Sequence, residues 1–129
     1  MTFGFTEEEY SRVRDWLMSA FYAGPCPFDE AELLEKLRSG EWHLLTIENA
    51  ACVLQLCEYE GERIAVVLLL GGRKNGSLRD IMRASAVLSD YLAKIGFNYI
   101  VGEPRKEFHK FLKRNGFEQK EKEFKKRLN

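Results

Sequence analysis

At 129 residues and 45% hydrophobic content, the chain can bury one compact core and is cramped for two. Its 20 basic groups cancel its 20 acidic ones, so net charge gives no pull toward nucleic acid. No apolar run approaches the roughly 18–20 residues of a membrane span; the longest, Ile64 to Leu70, is strand-sized.

The chain opens without a basic stretch leading into an apolar one, so no secretory leader is expected and the location read from sequence is cytoplasmic. A strand stub over residues 1–5 precedes Thr6-Glu7-Glu8-Glu9, where a hydroxyl and a later carboxylate can satisfy free amides at a helix start. Tyr10, Val13, Leu17, Ala20 and Phe21 then recur at helical spacing, with Trp16 beside them. Gly24-Pro25-Cys26-Pro27 must be a loop, because two prolines remove amides and restrict their neighbours. Asp29 starts a second helix, with Leu33, Leu34 and Leu37 on one face and Gly40 as its stop.

From Trp42 the period changes. Trp42–Ile47, Cys52–Tyr59 and Arg63–Leu70 read as three strands joined by short turns, an antiparallel meander. The third is apolar on both faces, which predicts a central strand covered on each side. A long helix follows, with Leu78, Ile81, Met82, Leu88, Leu92 and Ile95 on one stripe and Gly96 closing it. Phe97–Val101 is a further strand; the helix before it is a crossover, so it should run parallel to the third strand. Pro104 permits a short helix with Phe108, Phe111 and Leu112 inward, ended by Asn115-Gly116. Residues 117–129 read as an edge strand or a charged tail. The expectation is a single α/β (α+β) domain over 1–129, with a mixed central sheet and the order α-α-β-β-β-α-β-α-β.

The three cysteines are odd in number and lack metal-ligand spacing; Cys52 and Cys57 should face opposite sides of one strand. Reduced thiols are expected, and with only His43 and His109 available, no metal site. Residues 103–129 hold 10 Lys/Arg against 5 Glu, so the basic charge is concentrated at one end.

The segment LLLGGRKNGSLRD, residues 68–80, passes from the apolar strand through a basic, glycine-studded turn into a helix. A helix start carries free amides and the positive end of a dipole, which attract a pyrophosphate. Gly76 lets the backbone approach closely, and Arg73 and Lys74 add charge. The same residues also serve as an ordinary strand-to-helix turn, with Ser77 as cap and Asp80 as first-turn acid.

That order of elements, with its basic Gly-rich turn, long helix, strand and short helix ending Asn115-Gly116-Phe117, resembles the GNAT (Gcn5-related N-acetyltransferase) superfamily over most of the chain. The family's acyl-CoA loop reads Gln/Arg-x-x-Gly-x-Gly/Ala. Arg73-Lys74-Asn75-Gly76-Ser77-Leu78 supplies its basic residue and first glycine, with Leu78 in the last position. The resemblance implies a GNAT-like acyl-CoA N-acyltransferase fold, acetyl-CoA as cosubstrate and an amine acceptor. Cofactor-binding residues would be Leu68 and Leu70 on the third strand, with Arg73, Lys74, Asn75, Gly76 and Ser77 in the loop. It also implies that Val67–Leu70 splays from Tyr99–Val101, with the thioester in the gap. The acceptor is expected near Gly24–Phe28 and the aromatics Phe21, Tyr22 and Phe28.

The catalytic positions depart from the family's pattern. Leu112 stands where members with a general acid often carry Tyr, and Arg105 where Asn is frequent. Leu112 cannot protonate a departing thiolate. Three side chains are candidate substitutes: Tyr99 on the splayed strand, His109 on the short helix, and Glu58 as a base through water. Each also has an ordinary reading, as a strand aromatic, an exposed helix residue and a solvated carboxylate respectively.

Two functions are therefore carried forward. One is an acyl-CoA-dependent N-acetyltransferase acting on an unidentified amine. The other is a catalytically degenerate GNAT-fold structural or protein-interaction component, for example of a phage virion, since the Glu107–Gly116 helix resembles one in small phage GNAT-like proteins. There, Lys120 to Arg127 would contact an acidic protein partner. Neither nucleic acid nor membrane is expected as a partner, because the basic residues of that strip alternate with glutamates and offer no stacking platform.

Overall fold

The computed structural model of the chain describes residues 2–22, 28–73, 77–103, 109–114 and 116–128, and over 77–82, at 84 and at 111 the backbone alone. The elements are β1 (Thr2–Phe3), α1 (Glu7–Tyr22), α2 (Glu30–Ser39), β2 (Trp42–Thr46), β3 (Ala50–Tyr59), β4 (Glu62–Gly72), α3 (Ser77–Lys94), β5 (Tyr99–Gly102), α4 (His109–Arg114), β6 (Glu118–Lys120) and β7 (Glu123–Arg127). The strands form one seven-stranded mixed sheet in the order β1-β2-β3-β4-β5-β7-β6. Among the described residues only β4 and β5 pair in parallel, as the crossover through α3 requires.

The helix ends have local causes. Thr6 Oγ1 accepts the Glu9 amide at 3.1 Å, half of the capping pattern in the sequence. The Glu9 carboxylate is spent elsewhere: it accepts from Arg12 at 3.0 Å and from the Thr46 hydroxyl at 2.7 Å. Arg12 goes on to the carbonyls of Ile47 and Glu48, so α1 is laced to the β2–β3 corner. Asp29 accepts the Glu32 amide at 2.9 Å, and Gly40, at φ 83°, ends α2 in the left-handed conformation.

Helices cover both sheet faces. Tyr10, Val13 and Leu17 of α1 and Leu33 and Leu37 of α2 pack with Trp42, Leu44, Ala51, Val53 and Leu69. Leu88 and Leu92 of α3 pack on the other face with Leu45, Cys52, Leu54, Ala65, Phe97, Ile100, Phe117 and Phe124. Ile95, expected on the buried stripe of α3, is 40% exposed, one residue past the end of the helix at Lys94. The helix end is closed from outside by Arg63, which donates to the Ile95 carbonyl at 2.7 Å and lies over the Phe97 ring at 4.3 Å.

Residues 117–128 hold a hairpin. Its strand β6 is the sheet edge, and β7 inserts between β6 and β5. Phe124 anchors it, 1% exposed and in register with Gly102, while its charged neighbours face outward. The sequence-predicted loop over 24–27, together with Pro104, Arg105, Phe108 and Asn115, lies outside the described residues.

Candidate functional site

The register along β4 breaks once. Val53 pairs with Leu69 and Leu54 with Val67, so Leu68 is an extra residue with no register partner: a β-bulge. The bulge resets which side chains point where. Ala65 and Val67 pack on the α3 face, Leu68 and Leu69 both on the α1 face, and Leu70 on the α3 face again. That is how a run apolar at every position is accommodated.

At the same level the sheet divides. β5 pairs with β4 from Ile64–Tyr99 to Val67–Gly102 and stops, while β4 continues to Gly72 paired with β3 alone. The join is tight, since a Cβ on Gly102 would lie 3.3 Å from the Val67 Cβ. Past it, the β4 arm is held from the other side. A Cβ on Gly71 would meet the Trp16 carbonyl oxygen at 2.1 Å, so only glycine lets the α1 backbone sit there. The Arg73 amide also donates to the Asn49 carbonyl at 2.7 Å, which fixes the end of β4. Pinned to β3 and α1, the arm runs on past the last β5 pair, and at this fork in the ladder its edge on the β5 side has no strand partner among the described residues.

An unpaired edge offers main-chain donors and acceptors to an extended chain bearing amides. Four residues past Arg73 α3 begins at Ser77, and the free amides and dipole of this 18-residue helix favour an anion. A strand edge and a helix start in this relation suit a ligand with an amide-bearing arm and a phosphate end.

No protein-family model and no curated protein sequence matches the chain. Solved structures do. Gcn5 of Tetrahymena aligns over 100% of this chain and 97% of its own, with a TM-score of 0.71 at 10% identity. FeeM, an N-acyl amino acid synthase from uncultured soil microbes, aligns over 98% and 89%, with a TM-score of 0.72 at 12% identity. This chain has the GNAT fold. An N-acetylglutamate synthase from Neisseria gonorrhoeae, complexed with coenzyme A and N-acetyl-glutamate, contains the same GNAT fold at a TM-score of 0.66 and 12% identity; this chain spans 35% of it.

Within the GNAT fold the sequence-predicted residues fall as follows. Leu68 is the bulge residue and Leu70 lies on the free arm, both partly buried. Arg73 is exposed at the end of β4. Lys74, Asn75 and Gly76 lie outside the described residues, and Ser77 opens α3 with only its backbone described. Leu112 packs against Ala50 of β3, as Leu70 of the arm does. Phe21 and Phe28 are core aromatics, stacked edge-on at 6.0 Å, with Phe28 also 4.8 Å from Trp42; Tyr22 is 78% exposed.

The three catalytic candidates are not brought together. Tyr99 sits at the closed end of the β4–β5 pairing, roughly 10 Å along the strand from Gly102. There Arg127 donates to its hydroxyl and the Lys125 ammonium lies 3.9 Å over its ring. Glu58 pairs with Arg63, four positions before Val67 and roughly 13 Å from the fork. His109 alone stands at the level of the fork, on the α3 face, its ring 4.4 Å from that of Phe124.

Other titratable groups have structural work. Tyr10 donates to Glu30 at 2.6 Å, and Arg14 clasps the same carboxylate at 2.7 and 2.8 Å. Arg14 and then Tyr10 draw the Glu30 carboxyl down to about 2, whereas burial and Glu30 raise the Tyr10 hydroxyl above its ordinary range. Burial pushes the Cys52 thiol up to about 12, which leaves it inert, and Cys57 is exposed on the opposite face of β3. Among the described residues no three metal-ligating side chains cluster, and no helix is long and apolar enough to cross a membrane.

Sequence reading missed three residues of this region. Gly71 and Gly102 are set by contacts across the fold and carry no local signal. Glu103, in Val101-Gly102-Glu103, follows the last paired residue of β5 directly. A carboxylate one step past a strand end was the signal available for it.

Proposed function

We propose that the chain is an acyl-CoA-dependent N-acetyltransferase that moves an acetyl group from acetyl-CoA to an amine. The observation that carries this reading is the fork: β4 bulges at Leu68 at the level where its pairing with β5 ends, and α3 starts four residues past Arg73. The main chain of Leu68–Leu70 receives the pantetheine amides. The start of α3 takes the pyrophosphate, helped by Arg73 and by the sequence-assigned Lys74, Asn75, Gly76 and Ser77. The three solved neighbours support a thioester and an amine as the reacting pair only at the level of the fold.

Attack by the amine forms the C–N bond and moves the carbonyl electrons onto oxygen. A main-chain amide at the bulge, fixed before reaction, stabilises that charge. The C–S bond then breaks and the thiolate leaves. Leu112 gives it no proton, so departure is slower than with a hydroxyl there but still allowed. Of the three candidates we assign that proton to His109, on the α4 side with its ring against Phe124, because Tyr99 and Glu58 stand back along their strands.

A second reading, a GNAT-fold interaction or virion component with a protein partner and no chemistry, is favoured by one observation: Leu112 is an aliphatic side chain packed on Ala50, the residue that Leu70 also packs against. Calorimetric titration with acetyl-CoA and with CoA separates the two. The transferase reading predicts saturable micromolar binding that is lost in the double variant Arg73→Ala/Gly76→Asp. No heat and no thermal stabilisation at millimolar ligand would leave the second reading standing.

A further inference from the structure

α3 buries Leu88 and Leu92 against the sheet and turns Arg83, Ala86, Val87, Asp90 and Tyr91 to solvent. Those exposed positions fall at i, i+3, i+4, i+7 and i+8, so they share one stripe along two turns of the helix. The outward face of a surface helix is ordinarily charged or polar throughout; this one is not. Six large hydrophobic side chains are exposed among the described residues, and four of them gather here. They are Val87 at 51%, Tyr91 and Ile95 at 40%, and Phe3 of β1 at 37%. Phe3 lies 5.7 Å from the Tyr91 ring and stacks on His43 at 5.6 Å, so the patch continues from α3 onto the sheet edge.

We propose that this face seats a second copy of the chain, α3 against α3 in antiparallel sense, about a two-fold axis at Ala86–Val87. The charges along the stripe select that occupant. Arg83 and Asp90 stand two turns apart with opposite signs, and Ala86 and Val87 lie midway between them. A two-fold axis at the midpoint brings each Arg83 level with Asp90 of the other copy, so both ends of the contact close with opposite charges. Tyr91, beside Asp90, offers its ring to the same guanidinium. Among the described residues neither Arg83 nor Asp90 is held in an ion pair within its own chain. A parallel arrangement would instead set arginine on arginine and aspartate on aspartate. Alanine and valine at the axis let the two helices approach closely. An isologous contact of this kind closes as a dimer and does not propagate.

The antiparallel sense also leaves the start of each α3 open. At about 1.5 Å per residue, the two Ser77 starts lie roughly 28 Å apart along the pair, on opposite sides of the axis. Dimerisation therefore stands or falls apart from the transferase reading. A helix pair meeting over a few turns is smaller than the roughly 800 Å² per partner of a standard interface. A dimer that exchanges, with micromolar rather than nanomolar affinity, is expected.

Sedimentation equilibrium of the full chain, from about 1 to about 200 μM, reads this directly. The mass of the parent should rise from 15.0 kDa toward twice that value. Arg83→Glu sets carboxylate against carboxylate, and Asp90→Arg sets guanidinium against guanidinium. Each should stay monomeric while unfolding thermally as the dilute parent does. Mixed in equal amounts, the two variants should dimerise again, because each new side chain then faces its opposite across the axis. Val87→Glu, at the axis itself, should also hold the chain monomeric. A parent that stays at 15.0 kDa throughout, or a mass that climbs past two copies, would overturn the proposal. So would single variants that dimerise as the parent does, or a mixture that remains monomeric.

Discussion

Along β4 the two edges are treated differently: β3 follows it for ten residue pairs, from Ala50–Gly72 to Tyr59–Glu62, whereas β5 follows it for four, from Ile64–Tyr99 to Val67–Gly102. The β3 side is also tied by helices. Gly71 admits the Trp16 backbone, Arg12 reaches the β2–β3 corner, and Glu30 gathers Arg14 and Tyr10 between α1 and α2. The β5 side hangs on fewer anchors, chiefly Phe124 beneath Gly102 and Arg63 across the end of α3. A ladder that ends early on one edge, while the other edge is braced, leaves open main chain at a fixed place. Binding capacity here comes from where pairing stops.

This contrast predicts that a change to the brace of the arm damages both the fold and the site, whereas a change to the remote α1–α2 clasp damages the fold alone. Gly71→Ala places a methyl where the Trp16 carbonyl stands at 2.1 Å, so α1 and β4 must separate. A loss of about 1–3 kcal/mol in unfolding free energy is expected, together with weakened acetyl-CoA binding. Denaturant titration and calorimetry on the same sample check it; unchanged affinity in a folded, destabilised variant would show that the arm does not depend on α1.

The smaller effect belongs to Glu30. Its carboxyl titrates at about 2 in the folded chain against an ordinary value of 4.5, so the folded state holds fewer protons than the unfolded one between those limits. The clasp therefore contributes in full above about pH 4.5 and is lost as pH falls toward 2. In Glu30→Gln, stability should be lower at neutral pH and should decline less over that window, with acetyl-CoA binding unchanged at pH 7. Partial exposure of the pair keeps the effect modest. Parallel acid-unfolding curves for the two proteins would show that the clasp contributes nothing.

The order of elements was legible because it rests on local signals: helical spacing from Tyr10 to Phe21, the cap at Asp29, the stop at Gly40, and the apolar run of β4 flanked by turns. The site was legible in outline, through the strand and the basic turn that follows it. The bulge at Leu68 was not, because a run that is apolar at every position has no alternation for a bulge to interrupt. Gly71 read as punctuation before the basic turn, but its cause is Trp16, more than fifty residues earlier. Tyr99 and Glu58 were chosen by chemistry; their distance from the fork follows from strand register, which residue type does not carry. Phe124 was masked by Glu123 and Lys125–Arg127, whose charges made a core strand look like a tail.

The central claim, that the free arm of β4 is an acyl-CoA site, is tested most directly by amide hydrogen exchange with and without acetyl-CoA. The fork predicts slowed exchange over Leu68–Arg73 and at the start of α3, with β2 and the Glu58–Arg63 end of the β3–β4 hairpin unchanged. Protection confined to other segments, or none at saturating ligand, would contradict it.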